Sequence, residues 1–206
     1  MISLIERGGI ILIVILLLSI GAIAIIVERM LYLRKIRMDE SVVLNRLKSA
    51  VSKGRYEEAL AICEASPSPI TNLSRVGIEH RDYPEEIIKA MITDAANLEI
   101  PRMERFLSTL GTIAHITPLL GLLGTVTGNI RAFGVLGEFG ALGGNPAVLA
   151  RGIAEALITT AAGIIVSIPA ISFYNYLVSK VNHLIIRIEN RVSELVLMLK
   201  RERVEV

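Results

Sequence analysis

The stretch Thr112-Ile113-Ala114-His115-Ile116-Thr117-Pro118-Leu119-Leu120-Gly121-Leu122-Leu123-Gly124-Thr125-Val126-Thr127-Gly128 decides the fold. It lies inside an uncharged run from Phe106 to Ile130 in which His115 is the sole ionisable side chain. A helix needs roughly 20 apolar residues to cross the hydrocarbon core, and this run has them. Small residues recur in it at three- and four-residue steps: Ala114, Thr117, Gly121, Gly124, Thr125, Gly128 and Ala132. That spacing puts them on one helix face, where a neighbouring helix can approach closely. Pro118 removes a backbone donor within the run and predicts a kink.

Two further runs flank it. Gly8 to Val27 carries no charge, and Gly152 to Ser179 carries one, Glu155. The chain has a mean hydropathy of +0.58, too apolar for an ordinary soluble domain. The reading is an all-α membrane protein with three transmembrane helices, since lipid requires each span to satisfy its own backbone. The first run has a competing reading as a signal peptide, with Arg7 before it and Ala22-Ile23-Ala24 as a cleavage site. The continuation through Ile25-Ile26-Val27 into Arg29, Arg34, Lys35 and Arg37 favours an anchor.

The same basic cluster predicts orientation. The segment between spans two and three has Glu138 and no Lys or Arg, whereas Lys180, Arg187, Arg191, Lys200, Arg201 and Arg203 follow span three. The expectation is an N-terminus outside, a cytoplasmic middle segment, a short loop outside and a cytoplasmic C-terminus. The expected boundaries are 1–28 for the first span, 29–105 for a cytoplasmic helical domain, 106–133 for the second span, 134–148 for the loop, 149–179 for the third span and 180–206 for a helical tail.

Residues 28–105 hold 13 basic and 13 acidic side chains, which reads as a solvated domain rather than a tail of one sign. Helices are expected up to Ala50 with Asp39 or Ser41 as cap, over Arg55–Ala65 and Ile70–Glu79, and from Asp82-Tyr83-Pro84-Glu85-Glu86 onward. The phrase Gly54-Arg55-Tyr56-Glu57-Glu58-Ala59-Leu60 is similar to one helix of a tetratricopeptide repeat, but no second copy follows. From Glu85 the helical pattern runs into span two, with Pro101 the only interruption. After span three, Val181, Leu184, Ile185, Ile188, Val192, Leu195, Val196 and Leu199 form an apolar stripe. Spans two and three are therefore expected to extend into a cytoplasmic helical bundle.

Function is sought inside the membrane. Glu155 within a span is costly and points to a polar path, a helix contact, or pairing with Arg151 one turn earlier. Gly152, Ala156, Thr159, Gly163 and Ser167 form a small-residue stripe around it, with Thr160 beside Thr159 and Pro169 as a second kink. Hydroxyls can hydrate an ion path without the cost of charge. Three helices are too few to enclose a pore, so conduction needs several copies or another protein. No catalytic constellation stands out. His80, His115 and His183 are scattered without metal spacing, and no phosphate loop or cofactor motif is present. A net charge of +2 gives no footing for nucleic acid, and the single Cys63 excludes an internal disulfide. The repeats of a secondary transporter are missing. A passive scaffold that recruits partners remains the alternative to an ion path.

The stretch quoted above, followed by Ala132-Phe133, resembles the second span of the MotA/TolQ/ExbB proton channel family. Gly152-Ile153-Ala154-Glu155-Ala156-Leu157-Ile158-Thr159-Thr160-Ala161-Ala162-Gly163, then Ile168-Pro169-Ala170 and Tyr174-Asn175, resembles its third span. Three spans with a modest cytoplasmic domain are closest to ExbB or TolQ, whereas flagellar stator subunits have four. The resemblance implies a homopentamer in the bacterial inner membrane around two copies of a single-span ExbD/TolR-like partner with a transmembrane aspartate. It implies a proton-driven motor acting on a TonB- or TolA-like protein, and it is not an enzyme family. It implies that Thr125 and Thr160 line the pore and that Glu155 is the glutamate of the third span. Thr117 and Thr159 join the expected pathway from the helix faces, and Gly121, Gly124, Gly128, Gly152 and Gly163 are expected to serve helix packing.

Overall fold

The computed structural model describes residues 2–139 and 146–201. Among them are six helices and no strand: α1 (Ile2–Val51), α2 (Tyr56–Ala65), α3 (Pro69–Glu79), α4 (Glu85–Met103), α5 (Leu107–Phe139) and α6 (Pro146–Arg201). Three stretches are long and apolar enough to cross a membrane, Gly9–Ile36, Leu107–Gly134 and Leu149–Leu199. The chain divides into two compact units. The first comprises Met1–Glu28 and Phe106–Leu177, the second Arg29–Arg105 and Val178–Val206.

In the first unit, α1 buries Leu12, Ile15, Ala22 and Ile26, which share one helix face. Its remaining surface is apolar and open, with Ile10, Leu17, Ile20 and Ile23 all more than half exposed. Leu119, Leu122, Ile130 and Phe133 on α5 and Leu157, Ile165 and Ile168 on α6 are exposed likewise. So much open aliphatic surface suits lipid or further copies of the chain, not water. The α5 and α6 helices lie antiparallel, with glycines at the contact. A methyl group built on Gly121 would stand 3.0 Å from the Thr159 carbonyl oxygen, and one on Gly163 2.7 Å from that of Thr117. Gly128 and Gly152 meet Ala156 and Ala132 at 2.9 Å in the same sense.

The second unit has an ordinary core. Leu47, Ala50 and Val51 of α1, Ala59 and Cys63 of α2, Ile78 of α3, and Leu195 and Leu199 of α6 pack together. The tetratricopeptide-like phrase thus builds one amphipathic helix, with Ala59 and Cys63 as its buried face. Ser68 and Thr71 start α3 with a reciprocal capping box around Pro69, each side-chain oxygen accepting from the other's backbone N–H. On α4, the Glu99 carboxylate accepts from Asn72 at 2.9 Å and from Arg102 at 3.0 Å, tying α4 to α3.

Two expectations are corrected. No helix starts at Asp39 or Ser41; α1 passes through them, because the buried face continues from Leu33 to Leu44 and Leu47. The helix from Glu85 toward span two is not continuous, and Pro101 is not where it stops. Pro101 sits inside the last turn of α4, and the break follows at Phe106, whose φ of 62° is left-handed. The Arg29 guanidinium, buried and stacked 4.6 Å over Tyr32, donates to the Arg102 carbonyl at 3.1 Å and the Met103 carbonyl at 3.5 Å. The last carbonyls of a helix have no donor within the helix itself. Of the loop expected at 134–148, residues 134–139 are the end of α5 and 146–148 the start of α6, and its middle, 140–145, lies outside the described residues.

Candidate functional site

The site grows out of the α5–α6 contact. Pro118 has no N–H for the Ala114 carbonyl one turn earlier. The Ser167 hydroxyl of α6 donates to that carbonyl at 2.8 Å. Ser167 and Ala114 are both buried, so the bond replaces a missing helix bond where water is scarce. Both helices run on through Pro118 and Pro169.

Thr117 and Thr159, expected on the pathway, are buried inside the contact. The Thr117 hydroxyl donates to the Ile113 carbonyl of its own helix. The Thr159 hydroxyl donates to the Ala156 carbonyl at 2.9 Å, and Thr159 occupies the space that a side chain at Gly124 would need. These two threonines seal the helix pair.

Thr125 and Thr160 are placed differently. Both are half-buried, and their hydroxyls bond each other across the two helices. The Thr160 hydroxyl also reaches the Gly121 carbonyl at 2.9 Å, and that of Thr125 the Ala156 carbonyl at 3.3 Å. Each hydroxyl has one proton and two lone pairs. With the protons directed to carbonyls or to the other threonine, what remains outward is lone pairs. Such a patch accepts from an O–H group, whether water, hydronium or an un-ionised carboxylic acid, for as long as the protons stay so directed.

Glu155 lies five residues along α6 from Thr160, about 7.5 Å toward the 140–145 connection at 1.5 Å per residue. Its partner is Arg131 of α5, whose Nη1 donates to Glu155 Oε1 at 3.0 Å, and not Arg151 as the sequence allowed. An arginine one turn N-terminal to a glutamate is the less favourable order on a helix, and the antiparallel hairpin brings the end of α5 beside the start of α6. A third element closes on the pair. Gly9 of α1 has a φ of 61° and a ψ of −168°, and a methyl group there would strike the Glu155 carboxylate and come within 3.9 Å of Arg131 Nη1. Only glycine combines that backbone with so close an approach.

The histidines stay apart from this site. His115 bonds the Gly111 carbonyl of its own helix through Nδ1 at 2.6 Å, and His80 bonds that of Val76 at 2.9 Å. Among the described residues no group of three or more His, Cys, Asp or Glu side chains could hold a metal ion. Cys63 is in the second unit, where burial pushes its thiol up to about 11. Sequence reasoning missed Arg131, Gly9 and the specific task of Ser167. Arg131 did carry a signal, being the first charge after the uncharged run of span two.

Fold and site together define a class: multi-pass helical membrane proteins whose last two spans form a glycine-tight hairpin carrying paired hydroxyls and a carboxylate. The profile of the MotA/TolQ/ExbB proton channel family matches residues 65–190, and the chain belongs to that family. It is 31% identical over 189 residues to a biopolymer transport protein ExbB homolog of Methanothermobacter thermautotrophicus, across 89% of this chain and 65% of that protein. It is 39% identical over 132 residues to the Tol-Pal system protein TolQ of Haemophilus influenzae, across 63% of this chain and 57% of TolQ. With the biopolymer transport protein ExbB of Neisseria meningitidis it shares 29% identity over 176 residues, across 79% of this chain and 78% of that protein. The chain thus spans less than two thirds of the first and second of these relatives.

Proposed function

We propose that this chain is the pore-forming subunit of a motor driven by the proton-motive force, in the manner of ExbB and TolQ. In this reading it resides in the bacterial inner membrane with a periplasmic N-terminus and a cytoplasmic C-terminus. Five copies surround two copies of a single-span ExbD/TolR-like partner with a transmembrane aspartate. The assembly energises a TonB- or TolA-like protein, and so an envelope process such as outer-membrane import.

The observation that carries the reading is the Thr125–Thr160 hydroxyl pair, half-open on a helix pair that is otherwise sealed by glycines. One protomer's three spans cannot enclose a path, so the hydroxyls act where several copies face a common axis. Their outward lone pairs suit a protonated acid, which passes apolar wall cheaply and is held by accepting oxygens. Once ionised, the same acid loses that interaction and requires water or a cation. Alternation between the two states as the partner's acid meets successive copies gives a direction to the movement of one subunit set against the other. Thr117 and Thr159 keep the wall rigid, and Glu155 stands farther along the wall.

The test is proton-driven activity in cells carrying Thr125→Val, Thr160→Val or both. Each single change is expected to lower activity at least tenfold, and the pair to abolish it, at unchanged membrane levels of the protein. Full activity in the double variant would end this reading. Collapse of the membrane gradient with an uncoupler is expected to stop partner movement; movement that continues would favour a passive scaffold.

A further inference from the structure

We propose that Arg131 is the specificity-determining residue of the pathway: as the fixed counter-ion of Glu155 it denies metal cations a free carboxylate, so protons pass and Na⁺ does not. The inference rests on the proposed ion path and adds the residue that decides what enters it.

Three observations carry it. The Arg131 guanidinium holds Glu155 Oε1 at 3.0 Å across two helices, so the partner of the carboxylate is positioned by the hairpin itself. Gly9 of α1, held at a positive φ, brings backbone against the same carboxylate oxygen. The pair stands on the same two helices as the Thr125–Thr160 hydroxyls, nearer the 140–145 connection.

A lone carboxylate on a water-lined wall attracts every small cation, and repeated copies would make a ring of such charge. Na⁺ then gains from direct coordination by carboxylate oxygen. A carboxylate bound to a guanidinium is neutral as a pair and offers Na⁺ little, and the guanidinium repels it. A proton does not need that site, since it moves by exchange along water and hydroxyl oxygens or on an acid of the partner. Glu155 in this arrangement is the partner of Arg131 and is not itself the carrier.

The experiment uses sealed membrane vesicles from cells carrying each variant at its native locus, with a pH-sensitive and a Na⁺-sensitive dye inside. Vesicles lacking the chain give the background. The wild type is expected to pass protons above background and no Na⁺. Arg131→Gln is expected to admit Na⁺, with a rise of roughly two- to fivefold, the ratio set by an ion pair whose arginine is open to solvent. Arg131→Lys keeps the exclusion, and Arg131→Gln with Glu155→Gln restores it, because the free carboxylate is gone. A residue with a merely structural role would not be rescued by that second change. Should Arg131→Gln fail to accumulate, Arg131→Glu alone against Arg131→Glu with Glu155→Arg gives the same contrast: the first leaks Na⁺ and the second does not. Proton passage in the wild type with Na⁺ exclusion unchanged by these variants would overturn the role of Arg131. No proton passage in the wild type would overturn the functional reading itself.

Discussion

The two units solve the problem of packing helices in opposite ways. The second unit buries leucine, isoleucine and valine, as a domain in water does, where removal of apolar surface from solvent drives association. The first buries some aliphatic side chains, among them Leu12, Ile15 and Leu110, but leaves many others open and packs glycine, alanine, serine and threonine between α5 and α6. Lipid tails are as apolar as leucine, so burying leucine between spans gains little there. Close backbone approach and interhelical hydrogen bonds take over. The first unit should therefore be damaged by added volume and the second by lost volume.

The largest effect is expected in the second unit. Leu195→Ala, at a site with no exposure, should lower unfolding free energy by about 2–5 kcal/mol, read by denaturant melts of the purified protein in detergent. Less than 1 kcal/mol would mean that α6 is not held by that core. Gly163→Ala is expected to cost about 1–3 kcal/mol, since its methyl would press on the Thr117 carbonyl and the Gly121 backbone. The same change at Gly134, where nothing lies within 4 Å, should be neutral or stabilise α5 by up to about 1 kcal/mol through helix propensity alone, and so serves as the control. Ser167→Ala removes the donor for the Ala114 carbonyl and is expected to cost about 1 kcal/mol. Adding Pro118→Ala restores a backbone donor there and should recover most of the loss; no recovery would separate the serine from the proline.

The smallest effects are set by pH and lie in the second unit. Lys48 holds the Glu194 carboxylate at 2.6 Å and keeps it below the usual carboxylate range. A lowered carboxylate contributes stability above its unfolded value and loses it as pH falls through the folded one. The pair is open to solvent, so Glu194→Gln should cost less than about 1 kcal/mol at neutral pH and nothing in strong acid. Cys63 runs the other way. Its raised thiol contributes below the ordinary thiol value and loses that contribution as pH climbs toward 11. Alkylation of Cys63 in the folded protein should be slow at neutral pH and rise with denaturant; rapid labelling without denaturant would contradict its burial.

The sequence alone determined the three spans, because charge-free runs of sufficient length permit little else. It also determined the small-residue faces of spans two and three, because helical period fixes which residues share a side. The resemblance of those same segments identified the family and singled out Thr125, Thr160 and Glu155. Tertiary structure decided which of the threonines are open. Thr159 and Thr160 are adjacent in sequence, yet one is sealed against Gly124 and the other meets Thr125, a difference of about 100° around the helix that only the partner's position makes meaningful. It chose Arg131 over Arg151 for Glu155, set Gly9 against the same carboxylate, and gave Ser167 the carbonyl that Pro118 leaves unbonded. Period along a helix is a local property, whereas the register between two helices is fixed by how closely their backbones meet.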